Sequence, residues 1–361
     1  MKPYLYKIGP ICLNLILLVG FASRPLAANA QTKTDDFVNL NKIPPRIIRA
    51  CCAFGYDLKL WGVPFVKIDQ VISIAELEDH HYMSKKSEGT GTIYTRRGGF
   101  IDVGHLRDQI DWTRYLHTLI LESKGKGDLA IPLRKEAGRK TLHLNIPTTL
   151  DADDCILLAG KIAYDFSLWH EISTWYGAST LPFMPEKFSS FSVEDVYSNL
   201  LGIHVGMKTL RTKGSFNETA TKLISATLDS LDVVKTAQET YDAYNAIHNQ
   251  WYTNKKRIPH VAITLKRDVD VLKSSRPWIV PDYASTFGDA VILDVPQVDS
   301  KDKLLTTYYT FTIATNHRIP METLFPNRQS NLIDQDDFSI LLNAISKDWE
   351  EMEPPMVIEK E

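Results

Sequence analysis

Three short segments concentrate the side chains that can hold a metal ion or move a proton. The first runs from Arg96 to Asp108 and carries Asp102, His105 and Asp108. The second is His170-Glu171-Ile172-Ser173-Thr174-Trp175-Tyr176-Gly177, and the third is Ser192-Val193-Glu194-Asp195-Val196-Tyr197-Ser198-Asn199-Leu200-Leu201-Gly202. Imidazole nitrogens and carboxylate oxygens are ordinary zinc ligands, and a carboxylate beside such a site can take a proton from bound water. His105 and His170 are therefore the candidate imidazole ligands, and Asp195 or Glu194 the candidate carboxylate ligand. Glu171 is the candidate general base, with Asp102 as a further catalytic candidate. Asn199 and Asp108 are placed to orient ligands from behind, as metal sites require. Ala163, His170 and Thr174 share one helix face, with Ser167 beside them, where an ordinary core stripe would be Leu or Ile. His105 follows Gly104 at a strand-to-helix junction, a position that projects side chains into clefts. The expectation is that Asp102, His105, His170 and Glu171 converge on one cleft.

Plainer explanations compete with each assignment. Asp195 lies three residues after Ser192, close to a capping-box arrangement that needs no metal. His170 is equally explained as a buried histidine bonded to a carboxylate such as Asp102, and Asp102, Arg107 and Asp108 as a structural ion-pair cluster. A different chemistry would pair Cys52 with His105 as a thiol hydrolase, Asp102 or Asp108 orienting the ring. Serine chemistry has no Gly-x-Ser-x-Gly motif behind it. His80 and His81 fall in a polar loop and are weaker candidates. The remaining histidines, His117, His143, His204, His248, His260 and His317, sit in ordinary helical or strand contexts.

The elements that must position these residues are readable from period and punctuation. Leu60–Val66 and Lys67–Ile74 are short apolar elements, and His80–Gly91 is a charged loop. Thr92–Thr95 is a strand, closed by a turn at Gly98-Gly99, and a helix runs from about His105 to Ser123. Leu129–Leu133 and Thr141–Ile146 form a β-hairpin. Asp151, Asp153 and Asp154 open a helix from about Ala152 to Tyr176, which Gly177 ends. A helix from Ser192 to about Thr209 follows, then amphipathic helices over Glu218–Leu231 and Val233–Asn254. Val261–Leu265, Ala290–Val295 and Thr307–Ile313 are strands. The whole reads as α+β, with a helical centre, a preceding β-hairpin and mixed C-terminal strands.

Composition bounds the setting. The chain has 361 residues and a net charge of −3. Lys2 and Lys7, an apolar run from Ile11 to Ala22, and Ala28-Asn29-Ala30 form a cleavable secretory signal at residues 1–30, with Gln31 as the mature N-terminus. Residues 31–42 are a flexible lead-in, 43–345 one globular domain and 346–361 an acidic tail. The expected location is periplasmic or secreted, with no transmembrane segment after signal cleavage. No basic block suggests nucleic acid, so the expected partner is a substrate, such as cell-envelope material. Three cysteines remain after the signal, Cys51, Cys52 and Cys155. One of the vicinal pair can bridge to Cys155, or all three can be small buried hydrophobes.

Two resemblances follow from these residues. Ile43-Pro44-Pro45-Arg46 to Gly55, Arg97 to Asp108, His170 to Gly177 and Phe188 to Gly202 resemble an uncharacterised family of exported bacterial proteins, domain of unknown function 4056, over about residues 43–320. That resemblance implies one domain and export but no reaction. Residues 129–202 are separately similar to thermolysin-like zinc peptidases. In that family His-Glu-x-x-His lies on one helix, and a later helix supplies a carboxylate, a Ser and a second acid before a Gly. Here Glu194 or Asp195, Ser198, Asn199 and Gly202 look like that later helix, but Thr174 stands where the second His would be. The likeness implies a zincin-like core and an exported, zinc-dependent hydrolase. The rival is a non-catalytic envelope binding protein that keeps only a degenerate cleft.

Overall fold

Asp102 both ends a strand and caps a helix, and the surrounding elements converge on that junction. The computed structural model describes residues 37–45, 47–49, 53–60, 63–67, 70–84, 88–179, 186–254, 264–316 and 318–352. The expected signal, Cys51, Cys52, His260 and His317 lie outside the described residues. In chain order the elements are β1 (Lys59–Leu60), β2 (Val63–Lys67), β3 (Thr92–Thr95), β4 (Gly99–Asp102), α1 (Val103–Ser123), β5 (Asp128–Pro132), β6 (Gly138–Asn145), α2 (Ala152–Trp175), α3 (Asp195–Arg211), α4 (Phe216–Ser230), α5 (Ala237–Ile247), β7 (Ser274–Ser275), β8 (Leu293–Asp294), β9 (Tyr309–Thr315), α6 (Met321–Leu324), β10 (Leu332–Ile333) and α7 (Phe338–Glu351). This is an α+β fold in which every named strand pair is antiparallel. Residues Asp35–Glu361 form one compact unit. No described helix is long and apolar enough to cross a membrane.

Local chemistry accounts for most element ends. The Asp151 side chain accepts from Asp154 N at 2.8 Å and starts α2. Gly177, at φ +85°, takes the left-handed conformation that stops it. Several boundaries differ from the sequence expectation, and tertiary contacts set those of the third and fifth helices. The third helix starts at Asp195 rather than Ser192, because Phe191 has φ +57° and Ser192 bridges to Arg267. Instead of running from Val233 to Asn254, α5 covers only Ala237–Ile247. Before it, Val234 N donates to Tyr94 O and Val233 bridges Thr95; after it, Asn249 turns at φ +61°. The expected strand at Ala290–Val295 shrinks to Leu293–Asp294, and that at Thr307–Ile313 shifts to Tyr309–Thr315 behind a 3₁₀ turn. The helix α7 carries residues 346–351, where a tail was expected to begin.

Two packing arrangements set up the site. The four-stranded sheet has the order β10-β9-β6-β5, so the hairpin β5–β6 is extended by a strand from the C-terminal end. Leu142 and Leu144 of β6 and Tyr309, Phe311 and Ile313 of β9 point to the buried face. There Phe166 of α2 meets Phe311 at a ring separation of 4.6 Å. The second arrangement is the helix trio α1, α2 and α3, in which α1 packs most extensively on α3. Gly202 and Gly206 make that approach possible. A Cβ on Gly202 would lie 2.2 Å from the Leu106 carbonyl oxygen, and one on Gly206 3.0 Å from the Thr113 Cβ. Gly160 does the same for α2 against Met207 of α3.

The loop between His80 and Gly91 is not the solvated segment its composition suggests. His80 and Glu88 are fully buried. Arg49 bonds to Glu88 at 2.5 Å and to Asp108 and Asp111 at 2.9 Å each. His80 Nε2 stands 3.2 Å from Asp111 Oδ1. Arg107 donates to the carbonyls of Glu78 and Glu88 at 2.7 Å. A buried ionic network thus fastens this loop and residues 47–49 to one flank of α1.

Candidate metal centre

Three of the sequence candidates meet at the α1–α3 contact. Asp102, His105 and Asp195 each offer a ligand atom within 4.8 Å of the others, and all three are buried. This group could hold a metal ion. Each member arrives through a different local device. Asp102 is the N-cap of α1, its carboxylate accepting from His105 N at 3.0 Å. Its own backbone N donates to Ser198 Oγ at 2.9 Å, tying the strand end to α3. His105 lies in the first turn of α1. Asp195 opens α3, where Glu194 is the N-cap and makes no capping hydrogen bond through its side chain. The capping-box account of Asp195 therefore does not describe this helix end.

The geometry around His105 is that of an oriented ligand. Its Nδ1 is 3.2 Å from Asn199 Oδ1. With Nδ1–H donating to that amide oxygen, the Nε2 lone pair faces the other way. There it meets Asp195 Oδ1 at 3.8 Å, too far for a hydrogen bond. Two ligands each about 2.1 Å from one ion stand about 3 to 4 Å apart, depending on the angle. Among the described residues, the buried Asp195 Oδ1 and Glu194 Oε2 atoms accept no hydrogen bond. An unpartnered carboxylate oxygen in the interior is costly unless a cation answers it.

The electrostatics follow from four carboxylates crowded around few cations. Burial alone would lower the His105 imidazole, but Asp195, Asp102, Glu171 and Asp108 outweigh it and push it up to about 9. Burial pushes Asp195 up to about 6 against the pull of His105, and it pushes Glu194 well above the carboxylate range, reinforced by Asp195. Burial lowers Arg267 to about 10, against the opposing pull of the Glu171 and Glu194 charges. One imidazole with two carboxylates suits a first-row divalent ion.

The other candidates are distributed around this group. His170 is paired elsewhere: its Nδ1 is 3.0 Å from Glu136 Oε1, and Lys140 Nζ is 2.6 Å from Glu136 Oε2. The carboxylate partner of His170 is thus Glu136 from the hairpin turn, where Asp102 had been the expected alternative. Glu171 accepts from Phe191 N at 2.7 Å through Oε2. Thr174 directs its hydroxyl back to the His170 and Glu171 carbonyls, at 3.0 and 2.9 Å. That leaves nothing on α2 to act as a second ligand one turn after His170. Asp108 accepts from Ile48 N and Arg49, and its oxygens are thus committed to the ionic network. Cys155 is buried and free.

A narrow cleft of about 40 Å³ joins the two histidines. His105 and Asn199 form part of its lining, with His170, Ser167, Glu136, Lys140, Gln109 and Trp112 around them. Asp102 and Asp195 reach it only through His105, within 4.8 Å of which their ligand atoms lie. Sequence reasoning missed Glu136, Lys140 and Arg267. Glu136 looked like an ordinary turn residue, and Arg267, which stacks over Trp175 and Trp349, gave no local signal.

No curated protein and no solved structure matches the chain. A family model described as Protein of unknown function (DUF4056) matches residues 40–281, a span that contains Asp102, His105, His170 and Asp195, and the chain belongs to that family.

Proposed function

We propose that the protein is an exported, metal-dependent hydrolase, with Asp102, His105 and Asp195 holding the ion and His170 moving the proton. The observation that supports this reading most is the close, buried grouping of Asp102, His105 and Asp195, in which Asn199 orients an imidazole that also lines the cleft presenting His170. A bound zinc or similar ion would supply Lewis acidity and an acidified water. His105 and the two aspartates bind. Asn199 fixes the imidazole's tautomer and tilt. Glu136 accepts a hydrogen bond from the Nδ1–H of His170, which leaves Nε2 as the acceptor for a proton from the reacting water. Glu171 contributes negative charge near His105 rather than a group on the cleft wall. The export part of the proposal rests on residues 1–30 alone.

A second reading is a binding protein in which the ion is purely structural, favoured by the near-complete burial of Asp102 and Asp195, 1 % and 4 % exposed. Metal analysis of the purified protein and of two variants separates them. About one equivalent of a divalent ion is expected, retained in His170→Ala and lost in His105→Ala. Hydrolysis of ester and amide probes should vanish in both variants. A metal-free wild type sinks the metal centre. A metal-loaded protein with unchanged turnover in His170→Ala leaves the structural reading standing.

A further inference from the structure

We infer that the substrate of this cleft is anionic, carrying closely spaced carboxylate or phosphate groups that lie in a cationic groove leading to His170. The inference rests on the hydrolase reading for its site but on separate observations for its chemistry. Beside the cleft opens a groove of about 890 Å³, and Ile47, Arg134 and Glu136 line both. Arg134, Lys135, Arg139 and Arg318 stand along its wall.

The hairpin turn explains why this wall is cationic on a chain whose net charge is −3. Between Arg134 and Arg139 the one acid is Glu136. It is turned inward, 6 % exposed, and its charge is answered by Lys140 and His170. Ala137 makes that inversion at φ +49°, a conformation a β-carbon disfavours, and Asn316 N holds its carbonyl at 3.0 Å. The three turn cations are left exposed, and none has an ion-pair partner among the described residues. Arg318 is fixed by donating to the Gly177 carbonyl. Guanidinium groups suit carboxylate and phosphate alike because both oxyanions accept two parallel N–H bonds. A concave wall of one sign concentrates such ligands from solution, and does so less as salt rises.

The groove is tested by binding, so that it does not depend on turnover or on metal. The purified protein, as isolated and after chelator treatment, is titrated with inorganic tripolyphosphate, a hexaglutamate peptide and a hexaglutamine peptide. The anionic probes should bind at least tenfold more tightly than the neutral one, equally with and without chelator, and should weaken several-fold between 20 and 200 mM salt. The double variant Arg134→Gln/Arg139→Gln should lose tenfold or more in affinity while its thermal unfolding stays unchanged. Preference between the two anionic probes tells phosphate from carboxylate. Equal binding of hexaglutamine, or unchanged affinity in the double variant, overturns the inference. A metal-free protein that still binds the anions leaves it standing while removing the metal centre.

Discussion

At the scale of single residues, one side chain can serve both folding and chemistry, and Asp102 has to be tested with that in mind. Its carboxylate caps α1 through His105 N and also belongs to the candidate ligand group. Replacing it by Ala would remove both roles at once, at a cost of about 1 kcal/mol for the cap alone. Asn caps a helix as well as Asp does. Asp102→Asn should therefore keep the unfolding temperature within a few degrees while its metal affinity falls at least about tenfold, since a neutral amide is a poorer ligand for a hard divalent ion. Equilibrium dialysis against the ion, run beside a melting curve, gives both numbers. Unchanged affinity with a lowered melting point would make Asp102 a cap and nothing more.

At the scale of elements, the site depends on how closely two helices approach. Asp195, Asn199, Gly202 and Gly206 follow one face of α3, spaced by about one helical turn. The two glycines bring that face against α1, which puts Asp195 and Asn199 on either side of His105. Gly202→Ala would drive a Cβ to 2.2 Å from the Leu106 carbonyl oxygen, and the atoms it meets are backbone, which cannot swing away. The helices must separate, at about 1–3 kcal/mol for overpacking. The expected outcome is a melting point lower by several degrees and a loss of metal out of proportion to it, because His105 and Asp195 move apart. A Gly202→Ala protein with native metal content would disconnect the helix approach from the site.

At the scale of the whole molecule, what was legible in the sequence is what local chemistry decides. The cap at Asp151, the stop at Gly177 and the hairpin before α2 were readable because each is fixed within a few residues. The residues of the third segment were also readable, and His105 was named beside them, but not the packing that brings them together. The local His170-Glu171 pattern pointed to α2, whereas Asp195 and Asn199 meet His105 of α1, ninety positions earlier, through glycine contacts that only the packed fold reveals. The C-terminal part was the least readable, because its strands are short and its main partner is distant. The family match ends at residue 281, yet β9 pairs with nearly all of β6, from Gly138↔Thr315 to Leu144↔Tyr309. Tyr309 also donates to Asp165 in the middle of α2, and Trp169 stacks on Phe338 of α7 at 6.1 Å. A chain ending at residue 281 would lose the buried Tyr309, Phe311, Ile313, Ile333, Phe338, Leu341, Leu342 and Ile345. At about 1.5–3 kcal/mol for each buried side chain, the loss is on the order of 15 kcal/mol. That matches or exceeds the about 5–15 kcal/mol by which a whole domain is stable. The truncated chain should therefore be unfolded or aggregated, with β6 left as an open, apolar edge. Circular dichroism and limited proteolysis of the two lengths decide the matter. A cooperative melt for residues 31–281 within a few degrees of the full chain would show that the family segment folds alone and that the C-terminal strand and helix are an addition to it.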